Sequence, residues 1–452
     1  MVVFGSLRHV FWITAGLTVV PGTPVTVSPA AVQVGPRAIG ASVDSARVAR
    51  LLAQLKLSDS TVCLLAGRAL TNFGGGWDWN RGDEVMPKPF PMPTPMPTPQ
   101  MGGDIGVDVS FPDPGADDRD DRFDDATLGV FRSVIRDENT CVRNIAASVL
   151  GQTRAPGAFE LFTGLLRDRQ PALRATGAFG LGELEDKRAV RPLGDALGDD
   201  AVAVRRAAAH ALGDIEDASA IQPLARALRD PVAAVRRTAA WALGQIEDQR
   251  GIQPLGTVLN DPSPDVRETA IWALSQIEDE TAVPLLVPLL RDRDDHTRQT
   301  AAYAMGQIES ADGVSALGAL VRDPSVRVRK TALWALGQIE SGSAVPAVAG
   351  ALRDADPAVR ALACWALGQI EDERAVAPLL PVLKDQEASV RLAAAWALGQ
   401  IESSHAVDAL QAAQQDASSS VRRMAKWALR QLDVDEGDPH PRVRDHSSRE
   451  PR

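Results

Sequence analysis

Two charged columns recur without exception through most of this chain. One is Asp137, Asp168, Asp199, Asp230, Asp261, Asp292, Asp323, Asp354, Asp385 and Asp416. The other is Arg143, Arg174, Arg205, Arg236, Arg267, Arg298, Arg329, Arg360, Arg391 and Arg422, each six residues after its Asp. A guanidinium presents a flat fork that takes a carboxylate through two hydrogen bonds. The columns could form a basic row for an acidic ligand. We read them instead as a structural ladder, in which Arg236, Arg267, Arg298, Arg329 and Arg360 bridge to Asp230, Asp261, Asp292, Asp323 or Asp354 of their own or the next copy. The Asp would also accept from exposed helix N–H groups.

A third column is aromatic: Phe179, His210, Trp241, Trp272, Tyr303, Trp334, Trp365, Trp396 and Trp427. Four residues after the seven from Trp241 onward come amides: Gln245, Gln276, Gln307, Gln338, Gln369, Gln400 and Gln431. Four before the column lies a varied position: Arg206, Arg237, Glu268, Gln299, Lys330, Ala361, Leu392 and Arg423. On a helix these offsets form one stripe. Aromatic faces and amides in such a stripe can hold side chains and peptide groups of a partner. They can also complete packing between helices.

The elements that carry these columns follow from one phrase, Trp241-Ala242-Leu243-Gly244-Gln245-Ile246-Glu247-Asp248. Its Ile position returns as Leu184, Ile215, Ile246, Ile277, Ile308, Ile339, Ile370, Ile401 and Leu432, always 31 residues apart, and one step back reaches Thr153. Ten copies therefore stand in register. A second apolar run separates successive phrases, as in Ala220 to Asp230, so each copy holds two short helical patterns. A fixed period of this length marks a solenoid whose units bury their apolar faces only against each other. By the 100° helical step, Val235, Ala239, Ala242, Leu243 and Ile246 share one face and should pack on the first helix of the pair. The Ala239 column is Ala throughout except Gly177, which lets helix backbones approach closely.

The frame of Asp230, Arg236, Ala239, Ala242, Leu243, Gly244 and Ile246 resembles the HEAT-like repeats of phycobilisome lyases, and the artificial binders built from 31-residue units of that kind. The resemblance spans 126–434 and implies an all-α fold, a right-handed α-solenoid of about ten helix pairs. In such proteins second helices line the concave surface, and the artificial binders vary these same stripe positions to make binding sites. The Trp-x-x-x-Gln stripe is also similar to the Trp-x-x-x-Asn ladder of armadillo-repeat import receptors, which grips an extended peptide. The resemblance thus points to non-catalytic binding of a protein or extended peptide at Trp241, Gln245, Trp272, Gln276, Tyr303, Gln307, Trp334, Gln338, Trp365, Gln369, Trp396, Gln400, Trp427 and Gln431. The enzymatic alternative is an accessory subunit of a phycobilin-type lyase, or a relative of deoxyhypusine hydroxylases. The latter hold iron with His-Glu pairs, and none of His9, His210, His296, His405, His440 and His446 is followed by Glu. No zinc spacing, phosphate loop or Ser-His-Asp order appears either, so no catalytic residue, metal or cofactor is expected.

The formal charge of -11 gives no reason to expect nucleic acid or anionic membrane as partner. Residues 1–30 read as a signal peptide, with Arg8, the apolar run Val10 to Val20 and Ser28-Pro29-Ala30, which predicts export to a periplasmic or extracellular space. The apolar run is too short to span a bilayer, which takes about 20 residues. Residues 31–73 read as a divergent helical cap, and 74–125 as a linker in which proline fills every second position from Pro87 to Pro99. Residues 435–452 read as a disordered tail. Cys63, Cys141 and Cys364 are odd in number and far apart, which suggests no disulfide framework. The expected assembly is a monomer.

Overall fold

The structure is a computed structural model that describes residues 45–55 and 123–432. Ser45–Leu55 is a helix that packs beside the first helix of the array, Asp125–Val134. The leader, the proline-rich stretch and the tail lie outside the described residues. No strand occurs among the described residues. Ten helix pairs follow one another, and we number them as units 1 to 10.

The second helices of units 1 to 5 are Thr140–Gln152, Pro171–Glu183, Val202–Asp214, Ala233–Gln245 and Pro264–Ile277. Those of units 6 to 10 are Asp295–Ile308, Val326–Gln338, Pro357–Ile370, Ala388–Ile401 and Ser419–Gln431. They are rich in Ala, Leu, Arg and Gln, which lose little freedom on entering a helix. Pro171, Pro264 and Pro357 open three of them, where the missing N–H is no loss. The first helices are short. From unit 3 to unit 10 each starts from a 3₁₀ turn whose preceding Asp or Ser, such as Asp248 or Ser341, accepts the N–H two residues on. Proline breaks some of them, as where Val283–Leu286 passes into a 3₁₀ stretch at Pro288.

The expected core columns hold. Val235, Ala239, Ala242, Leu243 and Ile246 are all buried, and their counterparts line a continuous apolar interior. Neighbouring second helices touch along their length.

One backbone feature was not anticipated. Each second helix of units 2 to 9 ends two residues before a left-handed residue, and that residue is Glu185, Glu216, Glu247, Glu278, Glu309, Glu340, Glu371 or Glu402, at φ between 50° and 54° (one residue before in units 5, 6, 8 and 9). Glycine is the usual occupant of such a site, because a Cβ there crowds the backbone. All eight side chains are exposed. Partial burial raises the Glu371 carboxyl, and the charges of Glu340 and Glu402 raise it further. Glu340→Gly should therefore stabilise the fold by about 0.5–1 kcal/mol, read as a higher denaturant midpoint. A lower midpoint would show that the side chain makes up for its backbone.

Candidate functional site

The charged columns join each unit to the next. Arg236 donates from Nε and Nη2 to Asp261 Oδ2 and Oδ1, both at 2.7 Å. Its Nη1 donates to the backbone oxygens of Asp230 and Pro231 in its own unit at 2.8 and 3.2 Å. The same fork joins Arg174 to Asp199, Arg205 to Asp230, Arg298 to Asp323, Arg360 to Asp385 and Arg391 to Asp416, while Arg329 pairs with Asp354 through one hydrogen bond from Nη2 at 3.0 Å. The carboxylate also accepts a helix-start N–H, such as Ser263 N–H on Asp261. These guanidinium groups are therefore occupied by carboxylates of the next unit.

Two rungs depart from the pattern. Arg143 is buried and donates to Thr176 Oγ1 at 3.3 Å, while Asp168 pairs with Arg136. Burial draws the Arg143 guanidinium below its ordinary value, against the pull of Asp137. The expected pair of Arg267 and Asp292 does not form: among the described residues no ion pair joins them, and Asp292 is exposed.

Hydrogen bonds from the paired Arg hold the carboxyls of Asp261, Asp385 and Asp416 below the ordinary 3.8, with burial opposing. The stability linked to these groups is complete above that value and is lost as pH falls through the lower folded values. A pH titration of stability should thus be flat from pH 7 to about 4 and fall steeply below that. Decline beginning near pH 6 would point to histidines instead.

The aromatic column has a partner that the repeat phrase hides. A Cβ placed on Gly337 would lie 2.6 Å from Cζ3 of Trp365, and the same holds for Gly306 with Trp334 and Gly368 with Trp396. For Gly213 with Trp241 and Gly399 with Trp427 the distance is 2.7 Å. Each indole edge therefore rests on the glycine of the preceding unit, at a distance no side chain would tolerate. From Gly213 onward the glycine of the phrase sits inside its helix to receive the next unit's ring, whereas a Cβ on Gly151 or Gly182 would meet Glu183 or Ala211.

The exceptions obey the same logic. Ser275 replaces glycine in unit 5, and the ring that follows is the smaller Tyr303. Ser275 is buried and donates to the Trp272 carbonyl at 2.7 Å. In unit 10 the position is Arg430, which is exposed, and no described unit lies beyond it.

Exposure divides the column. Phe179, His210 and Trp241 are buried at 8%, 8% and 5%, so Trp241 is given over to packing. His210 stacks on Trp241 at 4.6 Å, and its Nδ1 lies 2.7 Å from Asp214. Beneath that pair, burial raises the Glu183 carboxyl, which accepts from Ser148 and Gln152 at 2.6 and 2.8 Å. From Trp272 onward the rings are half-buried: Trp272, Tyr303, Trp334, Trp365, Trp396 and Trp427 each keep part of their surface open. Tyr303 and Trp334 stack with ring centroids 4.7 Å apart. Gln245, Gln276, Gln307, Gln338, Gln369 and Gln400 are half-buried beside them, and Gln431 is exposed. In units 8 and 9 the preceding column turns apolar, with Ala361 and Leu392 half-buried.

Cys141 is disulfide-bonded, although the number and spacing of the cysteines suggested no disulfide framework. Cys364 is free and buried, and burial drives its thiol far above the ordinary value. The chain's third cysteine, Cys63, lies outside the described residues. No group of three or more His, Cys, Asp or Glu among the described residues could hold a metal ion. Nor is any described helix long and apolar enough to cross a membrane.

The HEAT-repeat family pattern matches residues 159–244, 226–306, 283–356 and 345–430, more than half of the chain. The chain belongs to the HEAT-repeat family. No curated protein matches it. Among solved structures it is similar to importin beta, with 16% identity and a TM-score of 0.51, over 70% of this chain and 53% of that one. It is also similar to an engineered protein, with 21% identity and a TM-score of 0.42, over 68% of this chain and 99% of the other. A third likeness is to the CpcE–CpcF complex of phycocyanin lyase from Nostoc, with 26% identity and a TM-score of 0.31, over 49% and 92%. The likeness to importin beta speaks to the α-solenoid fold. It leaves the stripe to be argued from its own residues.

Proposed function

We propose that this HEAT-repeat protein is a non-catalytic scaffold that holds a protein or an extended peptide against the second helices of units 5 to 10. The observation that carries this reading is the half-open state of the rings from Trp272 to Trp427. Pure packing would bury them as Trp241 is buried. The layer of second helices is the more closely packed of the two, which suits the inner side of a curved stack. Beside the rings, Gln276, Gln307, Gln338, Gln369, Gln400 and Gln431 offer amides that can donate to and accept from a peptide backbone. Units 8 and 9 give the stripe its most apolar stretch, where Ala361 and Leu392 stand one helical turn before Trp365 and Trp396. The accessory-subunit reading rests on the shared repeat and adds no residue of its own.

The test uses Gln369→Ala with Gln400→Ala, which leaves every ring seated on its glycine. The pair should keep the wild-type denaturation midpoint and weaken partner capture at least about tenfold. Unchanged capture would refute the stripe.

We also propose that the protein is exported, as the apolar run Val10 to Val20 suggested. The bonded state of Cys141 supports this, because such bonds persist in oxidising compartments. Titration of native-source protein under denaturing conditions should find one free thiol, Cys364. Three free thiols would contradict export.

A further inference from the structure

The ten units do not stack with equal firmness. Every junction from unit 2 to unit 10 but one carries the Arg–Asp ion pair, two-bonded in all of them except Arg329–Asp354, which has one hydrogen bond. The exception lies between units 5 and 6. There Arg267 is held as usual, with Nη1 donating to the Asp261 and Pro262 carbonyls at 2.8 and 3.4 Å. The carboxylate it should meet, Asp292, is exposed and keeps only the helix-start bond that the other ladder aspartates also make, from the Asp294 N–H at 2.9 Å.

The same junction has lost the ring-on-glycine contact. Ser275 stands where glycine receives the next ring, and Tyr303 stands where Trp fills the gap. Tyr303 faces forward and stacks on Trp334 of unit 7. An exposed contact, His296 Nε2 to Glu268 Oε1 at 3.3 Å, spans the junction. Such surface pairs contribute little stability. Unit 1 also lacks the standard rung to unit 2. That junction is tied by Arg136 to Asp168, Arg143 to Thr176, and Ser148 and Gln152 to Glu183.

We propose that the junction between units 5 and 6 is a hinge, and that the solenoid moves as two stiff arms, units 1 to 5 and units 6 to 10. In a stack of nearest-neighbour contacts, motion concentrates at the weakest interface. At one place the charged rung is missing and the glycine–Trp pair is replaced by Ser275 with the smaller Tyr303. The hinge falls inside the half-open part of the stripe, between Trp272 and Trp334. Bending there would change the curvature offered to a partner. The inference stands whether or not the stripe binds one.

Gln222, Ser315 and Asp408 are exposed, equivalent positions on first helices of units 4, 7 and 10, spaced 93 residues apart. Spin labels on Gln222→Cys with Ser315→Cys span the hinge. Labels on Ser315→Cys with Asp408→Cys span the same number of units without it. Double electron–electron resonance should give a distance distribution about twice as wide for the first pair. Adding Ser275→Gly with Tyr303→Trp, which restores the interlock, should narrow it to the width of the second. Equal widths for the two pairs would overturn the proposal. So would a wide first pair that the double substitution leaves unchanged.

Discussion

Gly337→Ala is expected to destabilise the protein by about 1–3 kcal/mol, the usual cost of overfilling a packed interior. The sign is the informative part. Alanine is the better helix former by about 1 kcal/mol, so a mid-helix glycine with no other task would gain from the change. Here the added methyl would meet Trp365 Cζ3 at 2.6 Å and Cη2 at 3.1 Å, with the Ala366 Cα at 3.2 Å behind them. The ring must tilt, or the two units must part. Trp365→Tyr in the same chain should recover most of the loss, because it removes the outer edge of the indole. The protein already contains that combination in Ser275 with Tyr303. Chemical denaturation of wild type, both single variants and the double gives the coupling between them. A Gly337→Ala chain as stable as wild type would show that the ring does not rest there.

Asp261→Asn should cost about 2–4 kcal/mol, since removing one partner leaves the other charge poorly matched in a largely buried place. The Asp261 side chain is 6% exposed and Arg236 15%. The Asn oxygen can still accept the Ser263 N–H, so the helix start is preserved and the loss belongs to the rung. Its amide nitrogen would face the guanidinium with a donor where an acceptor is needed. Asp292→Asn provides the contrast. With no rung to break, it should change the denaturation midpoint little. Equal losses at Asp261 and Asp292 would mean that the columns act through helix starts alone.

Much of this architecture was legible from the period. Val235, Ala239, Ala242, Leu243 and Ile246 share a helix face, and that face is buried. The pairing of the Asp and Arg columns was also legible, because neither varies. The direction of each bridge was not: own unit and next unit differ only in how the pairs stack. The role of Gly244 was hidden for a related reason. Its partner, Trp272, lies 28 residues on, in another copy, while helical spacing speaks only for residues within one helix. The clue was present in the exceptions, since Ser275 precedes the one Tyr in the column and Arg430 ends the series. The left-handed Glu residues left no trace at all, because sequence rules place glycine there. The break at Arg267 and Asp292 was equally silent, as both residue types are in place and only their separation differs.

In the proposed function the aromatic column serves two purposes: the indole edge locks onto the previous unit, and the remaining surface meets a partner. The most direct measurement is photocrosslinking in the cells that make the protein. A benzophenone side chain would be placed at Leu392, one helical turn before Trp396, and separately at exposed Asp408 on a first helix. A discrete adduct from position 392, with none from position 408, is the predicted result. No adduct at 392, or adducts of equal yield from both positions, would contradict it.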